Sequence, residues 1–307
     1  MRLTSFIAML ALLPVVFLLP AEAAQKQTIP FEITDSGHLI VKMEVNGHLK
    51  TIAVLDTGAT FPIIHHHTAK AAAIAAPTPG RLISILGLGG IEAYPVVDVS
   101  TALVGDLVIQ NFEAAYNARF YNPGRGNIIP ASSLPYRVLD FDFDKQRIEA
   151  YDARPRRVRA STSSKLPITR IHALPFVKIK VQGEEAIALI DTGASMTMVN
   201  SKFASRFARD EKSIRTIEVV NAGKDVEVFR LLASRNVVFG DFRVRKIQAF
   251  IVDPPVLDHV GLTDQAVMII GLDLLSQFRL QLDREEEVLW MHRPQEGVHM
   301  RYGRMFD

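Results

Sequence analysis

Two aspartates offer the plainest chemistry in this chain. Asp56 lies in Val54-Leu55-Asp56-Thr57-Gly58-Ala59-Thr60, and Asp191 lies in Leu189-Ile190-Asp191-Thr192-Gly193-Ala194-Ser195. Each follows an apolar run, and the two copies stand 135 residues apart. One Asp-Thr-Gly arises by chance. Two in matching contexts imply a duplicated unit that delivers one carboxylate per half to a shared site. Carboxylates held about 3 Å apart cannot both ionise cheaply, so the pair shares a proton and titrates as a unit. The ionised member can take a proton from a water that attacks an amide carbon. The protonated member can hydrogen-bond the carbonyl oxygen. Thr57 and Thr192 can donate hydroxyls across the interface and lock the loops. Gly58 and Gly193, without a Cβ, let two backbones approach closely. Thr60 and Ser195 are placed to hydrogen-bond the outer carboxylate oxygens. The scheme needs no metal and no cofactor. The chain has no Cys, which excludes disulfides and thiolate chemistry.

The elements that position these loops read as strands. Leu39 to Val45 alternates, turns at Asn46-Gly47 and resumes through Leu49 to Leu55. Phe176 to Val181 alternates, turns at Gln182-Gly183 and resumes through Ala186 to Ile190. Asn-Gly between alternating runs is a strong hairpin signal. Each Asp-Thr-Gly therefore ends an apolar strand. Helices are expected over His66 to Ala75 and Asn200 to Ala208. Further strands are expected at 81–86, 93–99, 107–109 and 112–116, then at 214–220, 226–232, 236–239 and 244–252. The first hairpin of each set has a loose tip, Gly87-Leu88-Gly89-Gly90 and Asn221-Ala222-Gly223-Lys224. No Gly-Lys-Ser/Thr ending or helix follows, so neither tip reads as a phosphate loop. The halves close alike, with Ile128-Ile129-Pro130-Ala131-Ser132 before one hairpin and Ile269-Ile270-Gly271-Leu272-Asp273 before the other. The fold class is mostly β.

The chain has 307 residues, nearly half of them hydrophobic, enough for two small domains or one large one. A formal net charge of +2 implies no dedicated nucleic-acid surface. Arg2, the apolar run Phe6 to Leu19, Pro20 and Ala21-Glu22-Ala23 read as a cleavable signal segment over 1–24. The run is short for a membrane span, which needs about 20 residues. Ala153 to Lys165, with Arg154, Pro155, Arg156, Arg157 and Arg159, reads as a solvated linker. His65-His66-His67 reads as a solvated helix start, because adjacent histidines point in different directions and seldom chelate one ion. Asp140, Asp142 and Asp144 alternate with Phe141 and Phe143 and read as a solvated strand face, with Ca²⁺ binding the alternative. Trp290 reads as core or sheet packing.

Together, the paired Asp-Thr-Gly loops, the Gly-bearing hairpin tips and Ile269-Ile270-Gly271-Leu272-Asp273-Leu274-Leu275 resemble the retropepsin-like aspartic proteases. The nearest type is exported bacterial members with two tandem domains. The resemblance implies two homologous closed β-barrel domains with short helices, related by a pseudo-two-fold axis. They would span 28–152 and 166–295, with a linker at 153–165 and a tail at 296–307. It implies a catalytic pair of Asp56 and Asp191, with Thr57, Gly58, Thr60, Thr192, Gly193 and Ser195 supporting the loops. Gly87, Gly89, Gly90, Asn221 and Gly223 match the flaps over a peptide cleft, and Gly271 and Asp273 match a structural support. Half one departs from this last pattern, with Pro130-Ala131-Ser132 in place of Gly-x-Asp, so the first loop is braced differently or less firmly. The implied function is an aspartic endopeptidase acting on an envelope or secreted polypeptide, in the periplasm or outside the cell. The alternative is a binding protein on the same fold that cleaves weakly or not at all. The dyad forms within one chain, or between two copies whose equivalent domains face each other.

Overall fold

A computed structural model describes residues 26–293 except 88–89, 119–125, 161, 209, 211–212, 221–225 and 235. The signal segment, the tail and the flap candidates Gly89, Asn221 and Gly223 lie outside the described residues. Half one runs through β1 (Gln27–Ile33), β2 (Leu39–Val45), β3 (Leu49–Asp56), β4 (Ile63–His65) and α1 (His66–Ala71). It continues with β5 (Leu82–Gly87), β6 (Gly90–Val104), β7 (Leu107–Asn117), β8 (Ile128–Pro130), β9 (Val138–Asp142) and β10 (Arg147–Tyr151). Half two repeats the plan with β11 (Thr162–Ile171), β12 (Leu174–Val181), β13 (Glu184–Ile190), β14 (Met198–Val199) and α2 (Ser201–Phe207). It then has β15 (Ile214–Val220), β16 (Val226–Ser234), β17 (Val237–Phe239), β18 (Phe242–Val244) and β19 (Ile247–Ile251). Last come α3 (Val256–His259), β20 (Val267–Ile270), α4 (Leu272–Leu275), β21 (Arg279–Asp283) and β22 (Val288–Arg293).

In half one the ladders close a ring, β2–β3–β8–β4–β7–β6 and back to β2. In half two the ring is β12–β13–β20–β14–β19–β16, and β17 carries the line of β16 back to β12. Each Asp-Thr-Gly strand, β3 or β13, therefore lies inside its sheet with a parallel neighbour. Its alternate residues are buried, as in Ala53, Leu55, Ala188 and Ile190.

A third, six-stranded antiparallel sheet joins the halves in the order β1–β10–β9–β21–β22–β11. At its centre Leu139 pairs with Leu282, Phe141 with Leu280 and Asp140 with Gln281. The exchange is reciprocal, as a two-fold relation between the halves requires. One buried cluster runs through both halves and includes Phe141, Leu139, Leu280 and Leu282. β1 and β11 each serve two sheets and change over at a proline. Pro30 is the last residue paired with β10, and Pro167 the last paired with β22. A proline suits that point because it has no N–H to place in a ladder.

Several boundaries differ from the sequence reading. The helix expected to reach Ala75 stops at Ala71, because Ala73 adopts φ 52°. The strands expected at 107–109 and 112–116 form one strand, whose ladder skips Ser100 and Asn111, the latter at φ 49°. β11 starts at Thr162, inside the span read as linker. Arg156 is also not solvated throughout. Its carbonyl accepts from Gln281 Nε2 at 3.1 Å, and its guanidinium lies 4.5 Å from the Tyr151 ring centroid. The aspartate face is likewise not solvated. Asp140 and Asp142 are buried, and Arg279 binds Asp140 through two bonds of 2.7 and 2.8 Å. Asp144 lies in the following turn rather than on the strand. Among the described residues no cluster of three His, Asp or Glu is placed to hold a metal. Nor is any helix there long and apolar enough to cross a membrane. Trp290 is half-buried on the joining sheet, stacked 6.2 Å from His292.

Candidate active site

The two Asp-Thr-Gly loops meet within one chain. Thr57 N donates to Thr192 Oγ1 at 3.0 Å, and Thr192 N donates to Thr57 Oγ1 at 3.0 Å. Each hydroxyl in turn donates to the strand opposite: Thr57 to Ile190 O at 2.7 Å, and Thr192 to Leu55 O at 2.9 Å. Both threonines are buried, so every bond is made away from water, and each hydroxyl both donates and accepts. Beneath this lock is a cavity of only about 10 Å³, lined by Thr57, Thr192, Phe141, Pro175, Ile190, Leu280, Leu282 and Leu289. That is at or below the space one water needs. The floor under the dyad is tightly packed.

The glycines act a little differently from the reading above. A Cβ on Gly58 would meet Asp191 Cγ at 2.8 Å, and one on Gly193 would meet Asp56 Cγ at 2.3 Å. What the missing Cβ admits is the opposite carboxylate, more than the opposite backbone. Asp56 Oδ1 accepts from Gly58 N at 2.6 Å. Asp191 Oδ1 accepts from Gly193 N at 2.8 Å and Ala194 N at 3.0 Å. Among the described residues the hydroxyls of Thr60 and Ser195 do not reach the carboxylates. Thr60 is exposed, and Ser195 Cβ packs 3.0 Å from where a Cβ on Gly37 would stand.

Burial pushes the Asp56 carboxyl well above its ordinary value, and the facing Asp191 adds to the rise. Burial also raises Asp191, while hydrogen bonds from Asp56, Ala194 and Gly193 oppose the rise. The pair thus shares one proton and titrates as a unit.

The supports differ between halves. In half two Thr197 Oγ1 donates to Asp273 Oδ1 at 2.7 Å and accepts from Gly271 N at 3.2 Å. Leu272 N and Asp273 N donate to Ala194 O and Ser195 O at 2.9 and 3.3 Å. Gly271 is required because a Cβ there would sit 2.6 Å from the Met196 carbonyl carbon. By the strand register, half one has Pro62, Pro130 and Ser132 at the positions of Thr197, Gly271 and Asp273. The donor, the acceptor and the backbone N–H are all gone together, so no group is orphaned.

Of the flap candidates, Gly87 and Gly90 close the β5–β6 ladder. This hairpin reaches across to half two. Leu86 packs on a separate apolar cluster that includes Ala194 and Leu189 with Val256, Leu257 and Val260 of the α3 region. A Cβ on Gly90 would stand 3.6 Å from Pro255 Cβ. Sequence reasoning missed α3 and Leu86, since neither carries a motif. A concavity of about 910 Å³ is lined by residues of β1–β3, and none of its lining residues belongs to the two loops.

Comparison with known proteins follows the duplication. The gag-polyprotein aspartyl protease family matches residues 177–277, and an aspartyl protease family matches residues 41–129. No curated protein matches the chain. Each match contains one of the Asp-Thr-Gly loops that the geometry brings together. The chain belongs to the retropepsin-like aspartyl proteases, with two such domains in tandem.

Proposed function

We propose that the protein is an aspartic endopeptidase in which Asp56 and Asp191 form one dyad within a single chain. The observation that carries this is the reciprocal lock of Thr57 and Thr192, which holds the buried Asp191 and the partly buried Asp56 carboxyl against each other. In the proposed reaction Asp191 takes a proton from water, and the oxygen attacks the peptide carbonyl carbon. Asp56 gives its proton to the carbonyl oxygen. Collapse of the tetrahedral intermediate returns a proton to Asp56 and expels the amine, protonated from Asp191. Only the singly protonated pair can do this, so the rate should fall on both sides of a pH optimum. The substrate is an extended polypeptide held between the hairpins. The N-terminal apolar segment supports export, and with it a substrate in the envelope or outside the cell.

The test is cleavage of a mixed peptide library between about pH 3 and 8, with wild type beside Asp56→Asn and Asp191→Asn. Both substitutions are expected to reduce cleavage to background. Survival of activity in either one would break the intrachain dyad. A wild type that captures peptides without cutting them would leave a binding protein.

A further inference from the structure

Half one lost its side-chain brace, yet its loop does not hang free. The turn after β8, with Ala131 and Leu134 buried, receives the guanidinium of Arg284 from half two. Arg284 Nη1 donates to Leu134 O and, at 3.1 Å, to Tyr136 O, while Nη2 donates to Ser132 O at 3.1 Å. Three carbonyls of half one converge on one side chain of half two. The anchor itself is held, because Arg284 N donates to Arg137 O at 2.9 Å. Arg137 in turn binds Asp283 through two bonds of 3.0 Å.

The two halves complement each other here. In the joining sheet Asp142 and Asp283 are equivalent by register, so Phe143 stands where half two has Arg284. Half one has no arm to offer, and half two, with Thr197–Asp273, needs none. Half two has the arm, and half one, with Pro62, Pro130 and Ser132, lacks the internal brace. The path to the dyad is short. Ser132 is two residues from Pro130, and Pro130 pairs directly with Asp56 in the parallel β3–β8 ladder.

We propose that Arg284 is a positioning residue for Asp56, bracing the first Asp-Thr-Gly loop from the opposite half in place of the missing Thr–Asp brace. This rests on the protease reading for its catalytic consequence, but the brace itself stands apart from it. A planar fork with several donors suits three divergent carbonyls, which a lysine ammonium cannot span in the same way.

The experiment uses the full chain and two readouts. The first is amide hydrogen exchange, which needs no substrate. In Arg284→Met, exchange across 128–136 is expected to rise on the order of tenfold or more, while 269–275 stays as in wild type. Thr197→Val should do the reverse. The second is peptide cleavage well below the melting temperature. Arg284→Met should lower kcat by about 10- to 100-fold with KM little changed, and shift the upper limb of the pH profile. Arg284→Lys should recover part of the loss. Adding Pro62→Thr, Pro130→Gly and Ser132→Asp to Arg284→Met should restore kcat by supplying the internal brace. Unchanged exchange at 128–136 would overturn the brace. Altered exchange with wild-type kcat and pH profile would overturn the positioning role. A silent wild type would count against the protease reading alone, since the exchange result would still decide the brace.

Discussion

At the scale of the residue, the dyad is a place where folding works against itself. Asp191 is buried and Asp56 partly so, in a site that opposes charge, and the raised carboxyl pKa values follow chiefly from that desolvation. A carboxyl raised on folding binds its proton more tightly in the folded chain. Its contribution to stability is complete below the ordinary value of 3.8 and is lost as pH rises through the folded value. Asp56→Asn removes that loss. It is expected to melt above wild type at neutral pH and level with it near about pH 3, where both forms are uncharged at this position. Thermal melts of both proteins across that range check the sign. A lower melting temperature for the variant at neutral pH would mean that the charged pair stabilises the loops.

At the scale of the element, α3 of half two meets the β5–β6 hairpin of half one. The connection from β19 to β20 carries this helix, and its apolar residues meet the β5–β6 hairpin through Leu86. Leu86→Ala is expected to speed amide exchange across 82–96 by roughly tenfold while leaving the joining sheet unchanged. Equal exchange would show that the hairpin is held by its own ladder. Most strands were legible because their alternation and Asn-Gly or Gln-Gly turns are local signals. The dyad loops were legible because the duplication repeats them. β1 and β11 were missed, although Ile29-Pro30-Phe31 and Leu166-Pro167-Ile168 repeat one another. Proline within a short run argues against a strand until two sheets are seen to share it. The contacts of Arg284 and Leu86 were not legible at all. Each joins residues of different halves, and no spacing in the chain reports that.

At the scale of the whole molecule, the joining sheet decides how the halves meet. One face of its centre is apolar, and the other is polar and asymmetric. Arg279 binds Asp140 and lies 3.2 Å from Asp142, and Gln281 Nε2 donates to Asp140 Oδ2 at 2.8 Å. His292 Nε2 adds a contact of 3.1 Å to Gln281 Oε1. Arg279→Met would leave the buried Asp140 without its cation, held by Gln281 alone, and Asp142 with Lys145 only. It is expected to cost about 3–5 kcal/mol, the usual penalty for breaking a buried pair from one side. Denaturant unfolding at neutral pH measures it, and a loss under about 1 kcal/mol would show the network to be screened by solvent.

Asp140 and Gln281 hold equivalent places and face each other where the two-fold axis crosses the sheet. Two first halves meeting there would oppose Asp140 to Asp140 with no guanidinium between them. The first half thus finds at that spot an unlike partner, Gln281 with Arg279 beside it, that a copy of itself would not supply.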